Sequence, residues 1–249
     1  MSKPESAPER EPARRSRRGF LTLGGGLLTV AASWTYLRSR QLDAGIPGPF
    51  RRILEWNEKL TSSVLFRDSH LAPEFPPSRV EEIRANGDIG LDDDIENSGW
   101  KLRLTPRGSS VTIALALSDI HTLPKTQLIA EFKCIEGWSS VIQWGGVCFR
   151  DLLQRHAPLS ERATYVAMAT PDNEYYIGID MASALHPQTL LAYEMNGQPL
   201  KDEHGAPLRL VTAVKYGIKN IKRIGTISFP DRPPRDYWAE RGYDYYAGL

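Results

Sequence analysis

Between Trp100 and Phe229 short β-favouring runs recur, at 100–104, 111–115, 128–134, 140–144, 164–169, 175–179, 207–214 and 224–229. Each is closed by glycine, proline or a polar cluster. Apolar, β-branched runs punctuated in this way predict strands rather than long helices. Helical patterning is sparser. Residues 51–65 carry apolar side chains at 53, 54, 60, 64 and 65, and shorter stretches lie at 116–120, 149–155 and 189–194. Pro47-Gly48-Pro49 blocks regular structure at the end of a linker over 41–49, and Pro73, Pro76 and Pro77 keep 70–79 extended or coiled. The tail from Pro230 to Leu249 is rich in Pro, Arg and Tyr and is expected to wrap the surface. With no repeats and no heptads, the pattern predicts an α+β fold built on mixed β-sheets.

The near-neutral charge of +1 hides an asymmetry. Residues 1–40 hold eight Lys/Arg and three Glu; the remainder holds 23 basic and 27 acidic residues. A mildly acidic domain of about two hundred residues argues against a general nucleic-acid binder. The first forty residues read as an address. Arg17-Arg18 stands just ahead of an uncharged stretch from Phe20 to Leu37, softened by Gly24, Gly25 and Gly26. Paired arginines before a moderate apolar run mark a twin-arginine export signal, and the alternative is a membrane anchor of minimal length. Val30-Ala31-Ala32 offers a small-residue cleavage site, whereas Arg38 and Arg40 suit a retained anchor. Folded export by that route points to a periplasmic, cofactor-bearing protein. The expected division is 1–40 as signal or anchor and 41–249 as one domain.

Three segments could carry chemistry. In Phe132-Lys133-Cys134-Ile135-Glu136-Gly137-Trp138 a strand ends on a cysteine ahead of a glycine turn. Such a cysteine can be a small buried hydrophobe, half of a disulfide with Cys148, or a soft thiolate ligand to a metal. Spacing does not choose among them. In His204-Gly205-Ala206-Pro207-Leu208-Arg209 a Gly/Pro turn delivers an arginine to an apolar strand. Its planar fork suits a phosphate or carboxylate, unless the stem packs and the head reaches water. Lys215-Tyr216-Gly217-Ile218-Lys219-Asn220-Ile221-Lys222-Arg223 places four cations around a glycine. That loop is either a phosphate cradle or a solvated basic turn. Between the last two candidates and the first, Ala184–Gly197 reads as a short helix closed by an Asn-Gly turn. There is no Walker loop, GxGxxG, GxSxG, CxxC or CxxCH, and Asp92-Asp93-Asp94 lacks the later Gly and Glu of a calcium loop.

Taken in order, FKCIEGW, ALHPQTLLAYEMNG, HGAPLRLV and KYGIKNIK resemble the molybdopterin-binding domain of the sulfite oxidase family. Within it they are most similar to the exported bacterial protein-methionine-sulfoxide reductases. The likeness runs from about Trp100 to Ile227. It implies a molybdenum–molybdopterin (Mo-MPT) cofactor with Cys134 as metal ligand. It implies pterin or phosphate contacts at Asn57, Thr170, His204, Arg209, Lys219, Asn220, Ile221 and Lys222. Two departures accompany it. His204 stands where the reductases carry asparagine, and their Tyr-Glu pair has no counterpart here.

The activity so implied is two-electron oxygen-atom transfer, reducing a small-molecule or protein sulfoxide or a similar oxo-compound. The alternatives are oxidation of sulfite or a related oxyanion, and a metal-free exported binding protein with the same fold. Without a c-type haem motif, electrons are expected to pass through a separate haem-containing partner, membrane-bound or soluble. The chain ends at Leu249, so no C-terminal immunoglobulin-like domain and a monomer are expected.

Overall fold

The computed structural model describes residues 11–39, 42–43, 46–61, 67, 69–82, 85–91 and 99–249. The Asp92–Asp94 turn, the end of the helix expected over 51–65 and parts of the 41–49 linker lie outside the described residues. The chain divides into two compact units, Met1–Ile53 and Leu54–Leu249. The first contains a helix, α1 (Glu11–Arg38), and a two-stranded ladder of β1 (Leu42–Asp43) with β2 (Ile46–Pro47). A second helix, α2 (Gly48–Leu60), begins on the Gly48-Pro49 pair that was expected to block regular structure. Proline is tolerated in a first helical turn, where its missing N–H has no intrahelical partner to lose.

Two five-stranded sheets make up the second unit. One comprises β5 (Lys125–Lys133), β6 (Ser139–Cys148), β9 (Thr189–Met195), β10 (Gln198–Pro199) and β11 (Arg209–Thr212), and all its pairings are antiparallel. The other runs β4 (Ile113–Leu115), β3 (Leu102–Thr105), β12 (Thr226–Ser228), β7 (Tyr165–Ala169) and β8 (Tyr176–Asp180). Its β12–β3 pairing is parallel and the rest antiparallel, the mixed sheet expected from the sequence. Three short helices connect these strands: α3 (Leu117–Ile120), α4 (Phe149–His156) and α5 (Met181–Ala184). The larger apolar core gathers Leu102, Leu104, Phe149, Leu153, Val166 and Ile227, all at most 1% exposed. A smaller one lies under β5, β6, β9 and β11, around Ile142, Trp144 and Leu190.

One expectation fails outright. Residues 189–194 are the central strand β9, not a helix, pairing β6 on one side and β10 and β11 on the other. Leucine and alanine favour helix locally, but propensity differences stay below about 1 kcal/mol per residue. Thr189 through Tyr193 are all buried in the sheet, and each buried leucine contributes on the order of 1.5–3 kcal/mol. The Asn196-Gly197 turn is real but closes a hairpin. Both residues adopt positive φ, 50° and 76°, as a tight β9–β10 connection requires.

Candidate functional site

Strand β5 leaves the sheet at Lys133, and Cys134 opens the turn into β6. The Cys134 N–H donates to the Trp138 carbonyl at 2.9 Å, and Gly137 N–H donates back to the Cys134 carbonyl at 3.1 Å. Gly137 sits at φ 90°, a conformation glycine adopts without strain. The closed turn presents the partly exposed Cys134 thiol to a cavity of about 170 Å³. Cys148 ends β6 at the far end of the same ladder. Nine register pairs lie between the two cysteines, on the order of 30 Å at about 3.3 Å per residue. A disulfide tolerates Cα atoms only about 7 Å apart, so that option closes; both cysteines are free.

On the same cavity, β11 begins with Arg209, 4% exposed. Its Nη1 donates to the His204 carbonyl at 3.0 Å and its Nη2 to the Asn220 carbonyl at 3.1 Å. The guanidinium stacks over Trp144 (4.8 Å) and Phe132 (5.9 Å), and its Nε has no hydrogen-bond partner. Among the described residues no carboxylate pairs with it, and burial pulls its pKa down to about 10. A buried charge without a counter-ion is costly by several kcal/mol. A bound anion at this cavity would supply both the missing charge and the missing acceptor.

Lys222 also lines the cavity, with Nζ donating to the carbonyls of Asn86 (3.0 Å), Gly87 (2.7 Å) and Glu203 (2.7 Å). Its three donors are thereby used, so it clamps two loops and contributes charge. Burial, reinforced by Arg209, lowers its pKa to about 8. His204 is 5% exposed on the same wall; burial is the largest cause holding its ring below the usual histidine range. Asn220 lines the cavity while its side chain braces the loop, accepting from Thr212 N–H at 2.7 Å and donating to the Tyr216 carbonyl at 3.1 Å.

Four expected site residues fall elsewhere. Lys219 is 1% exposed, ion-paired with Asp236 and donating to the Gly178 carbonyl, and it does not line the cavity. Ile221 is a core residue whose carbonyl accepts from Leu210 N–H. Thr170 is fully buried in the β7–β8 turn, against the Cβ-less face of Gly90. Asn57 is exposed on α2, away from these residues. The asparagine beside the thiol is Asn86, its Nδ2 3.8 Å from Cys134 Sγ and 3.2 Å from Glu136 Oε2. Asn86-Gly87 is a turn dipeptide, and that was the available signal for it. Glu136 also accepts from Trp138 Nε1 at 3.0 Å, and Trp238 and Tyr243 of the C-terminal segment complete an aromatic mouth. A partly exposed soft thiol facing buried, uncompensated positive charge fits a thiolate-ligated metal carried on a phosphate-bearing group.

Residues 89–238 match the family described as "Oxidoreductase molybdopterin binding domain". The chain is 30% identical to the protein-methionine-sulfoxide reductase catalytic subunit MsrP of Campylobacter jejuni, over 96% of this chain and 82% of that one. It is 42% identical to MsrP of Xanthomonas campestris over a shorter stretch, 44% of this chain and 38% of that one. Among solved structures, the sulfane dehydrogenase SoxCD from Paracoccus pantotrophus shares the fold. The TM-score is 0.51 at 18% identity, covering 67% of this chain and 46% of that chain.

Proposed function

The chain belongs to the molybdopterin-binding oxidoreductases of the sulfite oxidase family, and on that premise we propose that its cationic cavity serves to reduce a sulfoxide. It is a molybdenum-dependent oxidoreductase with a molybdenum–molybdopterin cofactor. That group, when bound, supplies two-electron oxygen-atom transfer; the protein supplies ligation, orientation and electrostatics. In our reading Cys134 is the thiolate ligand and Arg209 receives the pterin phosphate on its unpaired Nε. Lys222 adds charge and holds the Asn86-Gly87 loop over the thiol. Asn86 positions Cys134 and Glu136, and His204, neutral at pH 7, offers a ring nitrogen to the pterin.

The observation that carries this reading is the pairing, in one cavity, of the free thiol of Cys134 with the buried guanidinium of Arg209, which has no carboxylate partner among the described residues. The substrate class rests on the relatives named as methionine-sulfoxide reductases. The mouth supports it, because Trp138, Trp238 and Tyr243 suit an apolar methyl-sulfide side chain. The reaction would be R₂SO + 2H⁺ + 2e⁻ → R₂S + H₂O, with electrons from a haem-containing donor. Arg17-Arg18 ahead of the apolar Gly19–Arg38 helix supports twin-arginine export to the periplasm.

The test is turnover of the purified, molybdenum-loaded protein. With reduced dye as donor, methionine sulfoxide should be consumed with methionine as product. Sulfite with an oxidising dye should be turned over far more slowly. The reverse preference would replace this reading with sulfite oxidation.

A further inference from the structure

Helix α2 is amphipathic, yet its apolar side faces outward. Phe50 (46%), Ile53 (59%), Trp56 (64%) and Leu60 (38%) are exposed, and their spacing of three, three and four residues puts them on one face. Leu54 and Glu58 are half-buried on another side, and Glu58 lines a cavity with Asp180 and Tyr245. No residue of the helix is fully buried. A soluble surface helix normally presents these faces the other way round, so the apolar stripe calls for a cover.

Two observations identify a lipid surface as that cover. The chain's apolar helix, Gly19–Arg38, is 20 residues long, 0% buried and long enough to cross a bilayer. Nine residues separate its end from the start of α2. At about 3.5 Å each they reach no further than roughly 30 Å, which keeps α2 close to any membrane that holds α1. The flanks of the stripe also suit that setting. Arg52 and Lys59 are exposed beside it, matching anionic headgroups, and Trp56 is the side chain that partitions best to the headgroup boundary.

We propose that α2 is an interfacial helix that lies in the outer surface of the membrane, with Phe50, Ile53, Trp56 and Leu60 in the acyl boundary. The inference rests on the retained-anchor reading of α1, and two tryptophans allow the two ideas to be tested apart. Trp34 reports α1 and Trp56 reports α2. Of the other four tryptophans, Trp100 and Trp144 are buried, and Trp138 and Trp238 line the cofactor cavity.

The experiment places the full chain in phosphatidylethanolamine/phosphatidylglycerol vesicles with or without shallow brominated acyl chains, which quench indoles in contact with lipid. In the Trp34→Phe variant, brominated lipid should still quench part of the emission. That quenching should vanish in Trp34→Phe/Trp56→Phe. Quenching of Trp34 in the Trp56→Phe variant, with none of Trp56 in Trp34→Phe, would keep the anchor and overturn the interfacial helix. No quenching in either single variant would overturn both.

Discussion

Two lysines flank Asn220, whose carbonyl accepts from Arg209, and they have different work that their variants should separate. Lys219 is sealed against Asp236, so Lys219→Ala leaves a buried carboxylate uncompensated and should destabilise the fold by about 3–5 kcal/mol. Denaturant unfolding of the cofactor-free protein measures this. Lys222 faces the cavity with a pKa near 8, below the roughly 10.4 of an unfolded chain. Its charge, and the anion affinity that depends on it, is present below that value and lost as pH rises through it. Sulfate keeps its charge over this range, so its affinity for the cofactor-free protein should fall between about pH 7 and about pH 9. Lys222→Gln should bind sulfate more weakly at neutral pH and lose the pH dependence; calorimetric titration reads both. Only part of this was legible in the sequence. A basic loop announces charge, but which of Lys219 and Lys222 faces inward depends on a turn at Gly217–Lys219 that no side-chain pattern signals. Asn86 was not singled out in the sequence for a similar reason. Asn86 reaches Cys134 across 48 positions of chain, and only the packing of the two loops brings them together.

At the scale of elements, the site depends on how β6 and β9 meet. A register shift between Gly145 and Gly146 bends β6 where it crosses β9. A Cβ on Gly146 would lie 2.1 Å from the Leu191 carbonyl oxygen, whereas one on Gly145 would meet chiefly the movable carboxylate of Glu194. Gly146→Ala should therefore lower stability by about 1–3 kcal/mol, or about 2–4 °C in Tm per kcal/mol for a protein of this size. Gly145→Ala should lower it less, as thermal unfolding of both variants would show. Most strands were legible because their punctuation is local, as where Gly137 closes the β5–β6 hairpin. The strand at 189–195 was not, since its residues favour helix locally and only burial between β6 and β11 overrides that preference. For α2 the sequence revealed amphipathicity but not direction, and the outward apolar face is a property of the folded chain.

For the whole molecule, the charge asymmetry and the fold serve one arrangement. A basic, apolar N-terminal segment precedes a mildly acidic domain, and within that domain one cavity brings Arg209 and Lys222 together with the Cys134 thiol. The family assignment gives the cofactor; in the reading proposed above, Cys134 on the β5–β6 turn would ligate its metal and Arg209 on β11, whose Nε lacks a hydrogen-bond partner, would hold its phosphate. The most direct measurement is molybdenum per chain, by elemental mass spectrometry, in folded wild-type protein and in Cys134→Ser, both produced in a host that makes the cofactor. The account predicts close to one molybdenum per wild-type chain and a large loss in the variant, with folding unchanged by circular dichroism. Wild-type protein without molybdenum, or a Cys134→Ser protein that retains it in full, would contradict the assignment of this cavity and of Cys134 as the ligand.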